Sequence, residues 1–193
     1  MTKHYDIQKG SSEQRDRVES LLFGLENLDP EIREQIITAW ITSWLCSPYV
    51  DLSDAPYGPL APDYLLMDHV REVVQIGLVL AHEAKNQWNE TCDLKSLIAV
   101  LLMHDVDKPL MFLRTEAGIE VSPLASTLPH GVVGSMIAYD LGLPQQVVDI
   151  VATHSGQSPF HSLLFESYIL HYADMFASDR AILAGGGKPF FQK

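Results

Sequence analysis

The spacing of apolar residues along the chain predicts one helix after another. Val18, Leu21 and Leu22 mark a first segment from about Ser12 to Phe23, which Gly24 breaks. Asp29 and Pro30 then offer an N-cap and a first helical position for a helix reaching Leu45, with the stripe Ile32, Ile36, Ile37, Trp40, Ile41 and Trp44. Pro48, Pro56, Gly58, Pro59 and Pro62 forbid regular structure between Ser47 and Pro62. Further helices follow from Asp63 to about Lys85, from Cys92 or Asp93 to about His104, from Gly131 to Leu141, from Pro144 to Thr153, and from Ser162 to about Ala184. Pro109 to Ser126 reads as mostly irregular, without sustained β alternation, and Gly185-Gly186-Gly187-Lys188-Pro189 as a flexible end. The expectation is an all-α helical bundle. Residues 1–62 form an N-terminal helical extension and Pro-rich loop, 63–184 the main helical domain, and 185–193 a tail.

Polar residues interrupt these apolar faces at regular intervals. His69 heads the inward stripe Val73, Ile76, Leu80, and His104 ends the run Leu97 to Met103. His130 leads Val133, Ile137 and Leu141, His154 closes Val147 and Ile150 or Val151, and Asp174 lies between Leu170 and Ala177. A lone core histidine is ordinarily a hydrogen-bonded structural residue. Four on separate apolar faces would cost about 1–3 kcal/mol each without shared partners. A shared metal centre satisfies them together, because neutral imidazole and carboxylate are ligands for zinc, iron and manganese. His104 and Asp105 are adjacent, and successive helical residues point about 100° apart. Both can serve one ion only where the helix ends, and the two oxygens of Asp105 allow it to bridge a second.

Composition narrows the partners. A net charge of -12, from 25 acidic and 13 basic residues, opposes binding to long nucleic acid. No uninterrupted apolar run is long enough for a membrane span, and nothing near Met1 resembles a secretory signal. Cys46 and Cys92 make no paired metal spacing and read as free thiols in a reducing cytoplasm. The expected partner is a small anionic molecule in a pocket whose metal ions supply the missing positive charge. Oligomerisation is left open.

The order His69, His104-Asp105, His130, His154, Asp174 resembles the HD-domain superfamily of metal-dependent phosphohydrolases over roughly Asp63 to Arg180. The resemblance implies an HD-type helical domain with two divalent metal ions, iron first, with Mn, Zn, Ni, Co or Mg as alternatives. One ion would take His69, His104, Asp105 and Asp174; the other would take His130 and His154, with Asp105 bridging. It implies hydrolysis of a small phosphate ester or nucleotide, with Asp105 and Lys108 as catalytic groups. Bacterial HD proteins acting on dinucleoside polyphosphates share the spacing. Many members read His-Asp, any residue, Gly, Lys; here Asp107 stands where the glycine would be, and its carboxylate is a candidate partner for the Lys108 ammonium. Lys108 is the expected substrate anchor and Arg180 a second anion contact at the pocket mouth. His171 and Glu72, each one turn from a ligand, are candidate supporting groups. The alternative activity is that of a branch resembling myo-inositol oxygenase, in which two irons activate O₂ to cleave a C–C or C–P bond.

Overall fold

The structure, a computed structural model, describes residues 4–156 and 158–192. Its centre is helix α4, Leu94–Met103, capped by the Asp93 carboxylate, which accepts the Lys95 N–H at 3.1 Å. Leu97 to Met103 are all buried, and a helix that is apolar all round must be surrounded. Helices α2 (Pro30–Leu45), α3 (Leu66–Trp88), α7 (Gln145–Thr153) and α8 (Phe165–Ala184) pack against it. Helix α1 (Ser12–Leu21) lies on α2, and α6 (Val132–Asp140) on α7. The fold is all-α apart from one small hairpin. No helix among the described residues is long and apolar enough to cross a membrane.

Two contacts fix how tightly the layers close. On α3, a Cβ at Gly77 would come within 2.7 Å of Leu101 Cδ1, so the missing side chain is what admits α4 at this distance. The Trp40 indole N–H donates to the Leu102 carbonyl at 3.0 Å, tying α2 to α4 and giving a wholly buried tryptophan its partner. Trp40 is therefore packing, and the core runs without interruption from Trp40, Ile41 and Leu52 to Leu66, Leu101 and Ile150.

The segment expected to be irregular after Pro109 is ordered. Helix α5, Lys108–Met111, leads into β1 (Phe112–Thr115) and β2 (Gly118–Val121), an antiparallel hairpin pairing Phe112 with Val121 and Thr115 with Gly118. Strands of four residues are too short to show an alternation; Glu116 and Ala117 make the turn, and Gly118, at φ 126°, opens β2. Asp29 occupies the N-cap of α2, but its carboxylate pairs with Lys95 instead of the helix backbone. Beyond α8 the chain turns back, and Asp179 accepts the backbone N–H of Phe190.

Candidate metal centre

Helix ends deliver most of the site. α4 stops at Met103, His104 is its C-cap, and residues 104–107 form a turn before α5. That turn lets two adjacent side chains converge, which a continuing helix would forbid. His154 is the C-cap of α7, and His130 precedes the N-cap of α6. His69 comes from within α3 and Asp174 from within α8, helices that pack on each other.

All six residues meet. Nε2 of His69 lies 3.2 Å from Nε2 of His104, from Asp105 Oδ2 and from Asp174 Oδ1. On the other side, Nε2 of His130 lies 2.8 Å from Asp105 Oδ1 and 3.1 Å from Nε2 of His154. The two groups, His69–His104–Asp105 and Asp105–His130–His154, share the Asp105 carboxylate. Each of its oxygens faces one group.

Hydrogen bonds on the far side of the rings set the tautomers. His104 Nδ1 is 2.9 Å from the Leu101 carbonyl and His154 Nδ1 is 2.8 Å from the Val151 carbonyl. A carbonyl only accepts, so each Nδ1 carries a hydrogen and each Nε2 turns a lone pair inward. Lone pairs crowded beside carboxylates need a cation between them, and the donor set of imidazole nitrogen and carboxylate oxygen fits a divalent metal. The protein's own charged groups also compensate one another here. Burial opposes ionisation of Asp105, yet His104 and Lys108 hold its carboxyl well below the usual range. Asp174, likewise penalised by burial, is held low by its bond to His69. Burial pushes the His154 imidazole down, whereas Asp107 and Asp105 overcome burial at His130 and push it up to about 10.

The sequence profile of the HD domain matches residues 66–179, a stretch that contains all six of these side chains. The chain belongs to the HD-domain family. Among curated relatives it is similar to a dihydroneopterin 2',3'-cyclic phosphate phosphodiesterase of Methanocaldococcus jannaschii, with 32% identity over 110 residues. That match covers 56% of this chain and 44% of the relative, so the chain spans less than half of the relative's length. No solved structure matches.

A cavity of about 670 Å³ opens onto the HD centre, reaching Asp105, His130, His154 and Asp174. Met111, Phe112, Val121, Leu128 and Met175 give it an apolar wall, and Lys108 is the one lysine or arginine among its lining residues. Lys108 does not pair with Asp107. Its ammonium sits 2.7 Å from Asp105 Oδ2 and 3.6 Å above the ring of Tyr57. Asp107 instead turns to the N-terminus of α6 and to His130. The structure does not bring Arg180 to this cavity. Its guanidinium forms a two-pronged bond to the Glu72 carboxylate at 2.8 Å, and it borders a separate, smaller hollow. Glu72 is thereby committed to Arg180 and Tyr64, while His171 lines the cavity outside both ligand groups, its ring against His161.

Two residues of the site are absent from the sequence reading. Tyr57, from the Pro-rich segment, packs at a tilt against His69 with ring centroids 4.5 Å apart and donates its hydroxyl to Ser178 Oγ at 2.6 Å. Ser178 in turn donates to Asp174 Oδ1 at 3.0 Å. Only the spacing of Ser178, one turn after Asp174 on α8, hinted at a relation; nothing marked Tyr57 apart from other loop tyrosines.

Proposed function

We propose that this protein is a metal-dependent phosphohydrolase that cleaves a small phosphate ester at a centre of two divalent ions. His69, His104, Asp174 and Asp105 would hold one ion, and His130, His154 and Asp105 the other. The observation that carries this reading is the division of the Asp105 carboxylate between two histidine groups. Bound ions of this kind supply Lewis acidity at the phosphate and a water of lowered pKa.

The chain's own residues account for binding and orientation. Burial would discharge the Lys108 ammonium, but Asp105 and the Tyr57 ring keep it protonated. It is the donor that meets an anionic phosphoryl oxygen and offsets charge developing there. A single such cation in the cavity suits one phosphate better than a polyphosphate chain. The apolar wall of Met111, Phe112 and Val121 receives the uncharged remainder of the substrate and excludes bulk water from the ester. The similarity to a cyclic-phosphate phosphodiesterase supports a phosphodiester, and a cyclic one is the first choice for assay.

The test combines elemental analysis of anaerobically prepared protein with a screen of cyclic and linear phosphodiesters, phosphomonoesters and dinucleoside polyphosphates. Two equivalents of metal and cleavage of phosphodiesters are expected. Two irons, O₂ consumption and no ester cleavage would overturn the hydrolase reading in favour of oxygenase chemistry.

A further inference from the structure

Asp107 is wholly buried beside the centre, yet neither ligand group contains it. Its oxygens have separate tasks. Oδ2 accepts the N–H of Gly131 at 2.8 Å and of Gly134 at 3.2 Å, at the start of α6. Oδ1 lies 2.8 Å from Nδ1 of His130. The approach depends on glycine. Gly131 sits at φ 92°, where a Cβ would come within 2.6 Å of the Val151 carbonyl oxygen, and a Cβ on Gly134 would press Val106 at 3.0 Å.

A comparison among the histidines shows what this arrangement supplies. His104 and His154 each end a helix, and each finds an acceptor for Nδ1 in the carbonyl three residues back, Leu101 or Val151. His130 comes before its helix, and no backbone carbonyl accepts from its Nδ1. Asp107 Oδ1 stands 2.8 Å from that nitrogen as an ion-pair contact, not an aligned hydrogen bond, and a bare Nδ1 lone pair so close to a carboxylate oxygen would repel it. A carboxylate only accepts, so Nδ1 of His130 keeps its hydrogen and Nε2 is the nitrogen presented to Asp105 and His154.

We propose that Asp107 is the positioning residue of the His130–His154 half-site: by holding His130 as the Nδ1–H tautomer it determines whether the second ion binds. The inference rests on the two-ion reading above. It goes beyond that reading by assigning the occupancy of one half-site to a residue that belongs to neither metal-holding group.

Asp107→Asn tests it with almost no change of shape. The amide oxygen is claimed by the N–H groups of Gly131 and Gly134, which leaves the NH₂ facing His130. Nδ1 must then accept, and the imidazole hydrogen moves to Nε2, closing the lone pair that the ion needs. Zinc and manganese titrations followed by calorimetry and elemental analysis should show two equivalents in the wild type. In Asp107→Asn the second equivalent should bind about 10- to 100-fold more weakly, with the His69–His104 ion retained. His130→Ala, which leaves the α6 N-terminus untouched, should lose the same ion, and the double variant should lose no more than either alone. Long-range ¹H–¹⁵N spectra of the zinc-loaded wild type should show the His130 hydrogen on Nδ1, a readout that needs no variant. The inference is overturned if Asp107→Asn binds two ions at wild-type affinity, or if the wild-type spectrum places no hydrogen on Nδ1. A wild type that binds one ion overturns the two-ion reading as well, whereas two ions in both proteins overturn this inference alone.

Discussion

At the scale of single residues, Lys108 shows how a buried charge is kept available. Asp105 holds it from one side and the Tyr57 ring from below, so the ammonium is fixed in position while still reaching the cavity. Lys108→Met is expected to lower kcat/KM on a phosphodiester by about 10²–10³-fold, the usual effect of losing one donor to transition-state charge; steady-state kinetics at matched metal loading checks it. Tyr57 has two separable parts. Burial pushes its phenol up to about 12, so the hydroxyl stays protonated and donates to Ser178. Tyr57→Phe removes that bond alone and should cost about 1 kcal/mol in a denaturant melt, whereas Tyr57→Leu also removes the ring under Lys108 and should lower kcat/KM about tenfold. The six clustered side chains were legible from sequence because five of them interrupt an apolar stripe and Asp105 adjoins His104. Tyr57 was not, because a loop has no periodicity to break. Asp107 was legible only as a departure, since its role depends on Gly131 and Gly134, which lie far along the chain.

At the scale of elements, the helix pattern in the sequence matched the structure closely, because each helix buries a face against α4 or against a helix packed on it. The hairpin of β1 and β2 escaped notice, since its four-residue strands are held by their turn and by the Tyr49 hydroxyl, which donates to the Phe112 carbonyl at 2.7 Å. The junction of α3 and α4 leaves no room for a side chain at Gly77. Gly77→Ala would add helix propensity worth about 1 kcal/mol, but the new methyl meets a fully buried Leu101. A net loss of about 1–2 kcal/mol in chemical denaturation is expected. The loop before α3 is held to α1 by Arg17, whose guanidinium grips Asp51 in two-pronged fashion. This bond dominates at Asp51 and lowers its carboxyl from 3.8 to about 2, against a smaller opposing push from burial. A folded-state value below the unfolded one means the stabilisation is fully present above about pH 4 and is lost as the pH falls through about 2. Because both partners are more than a third exposed, Asp51→Asn should cost only about 0.5–1 kcal/mol at neutral pH. In melts repeated down the pH scale, the difference from wild type should shrink as pH 2 is approached.

At the scale of the whole molecule, the centre joins α3, α4, the turn before α6, α7 and α8, so ligand binding and folding are coupled. Metal at 100 times its dissociation constant should raise stability by about 2.7 kcal/mol. Calorimetric scans with and without a chelator should therefore show a lower Tm in the stripped protein, while the Asp105→Ala variant should barely respond to added metal. The placement of Tyr57 bears on how the molecule can be divided. The HD profile begins at residue 66, yet the aromatic surface beneath Lys108 and the hydroxyl that reaches Asp174 through Ser178 come from residue 57. Grafting the matched segment into another protein would transplant all six clustered side chains and leave the lysine without its seat. The unit that homology outlines is smaller than the unit that chemistry requires.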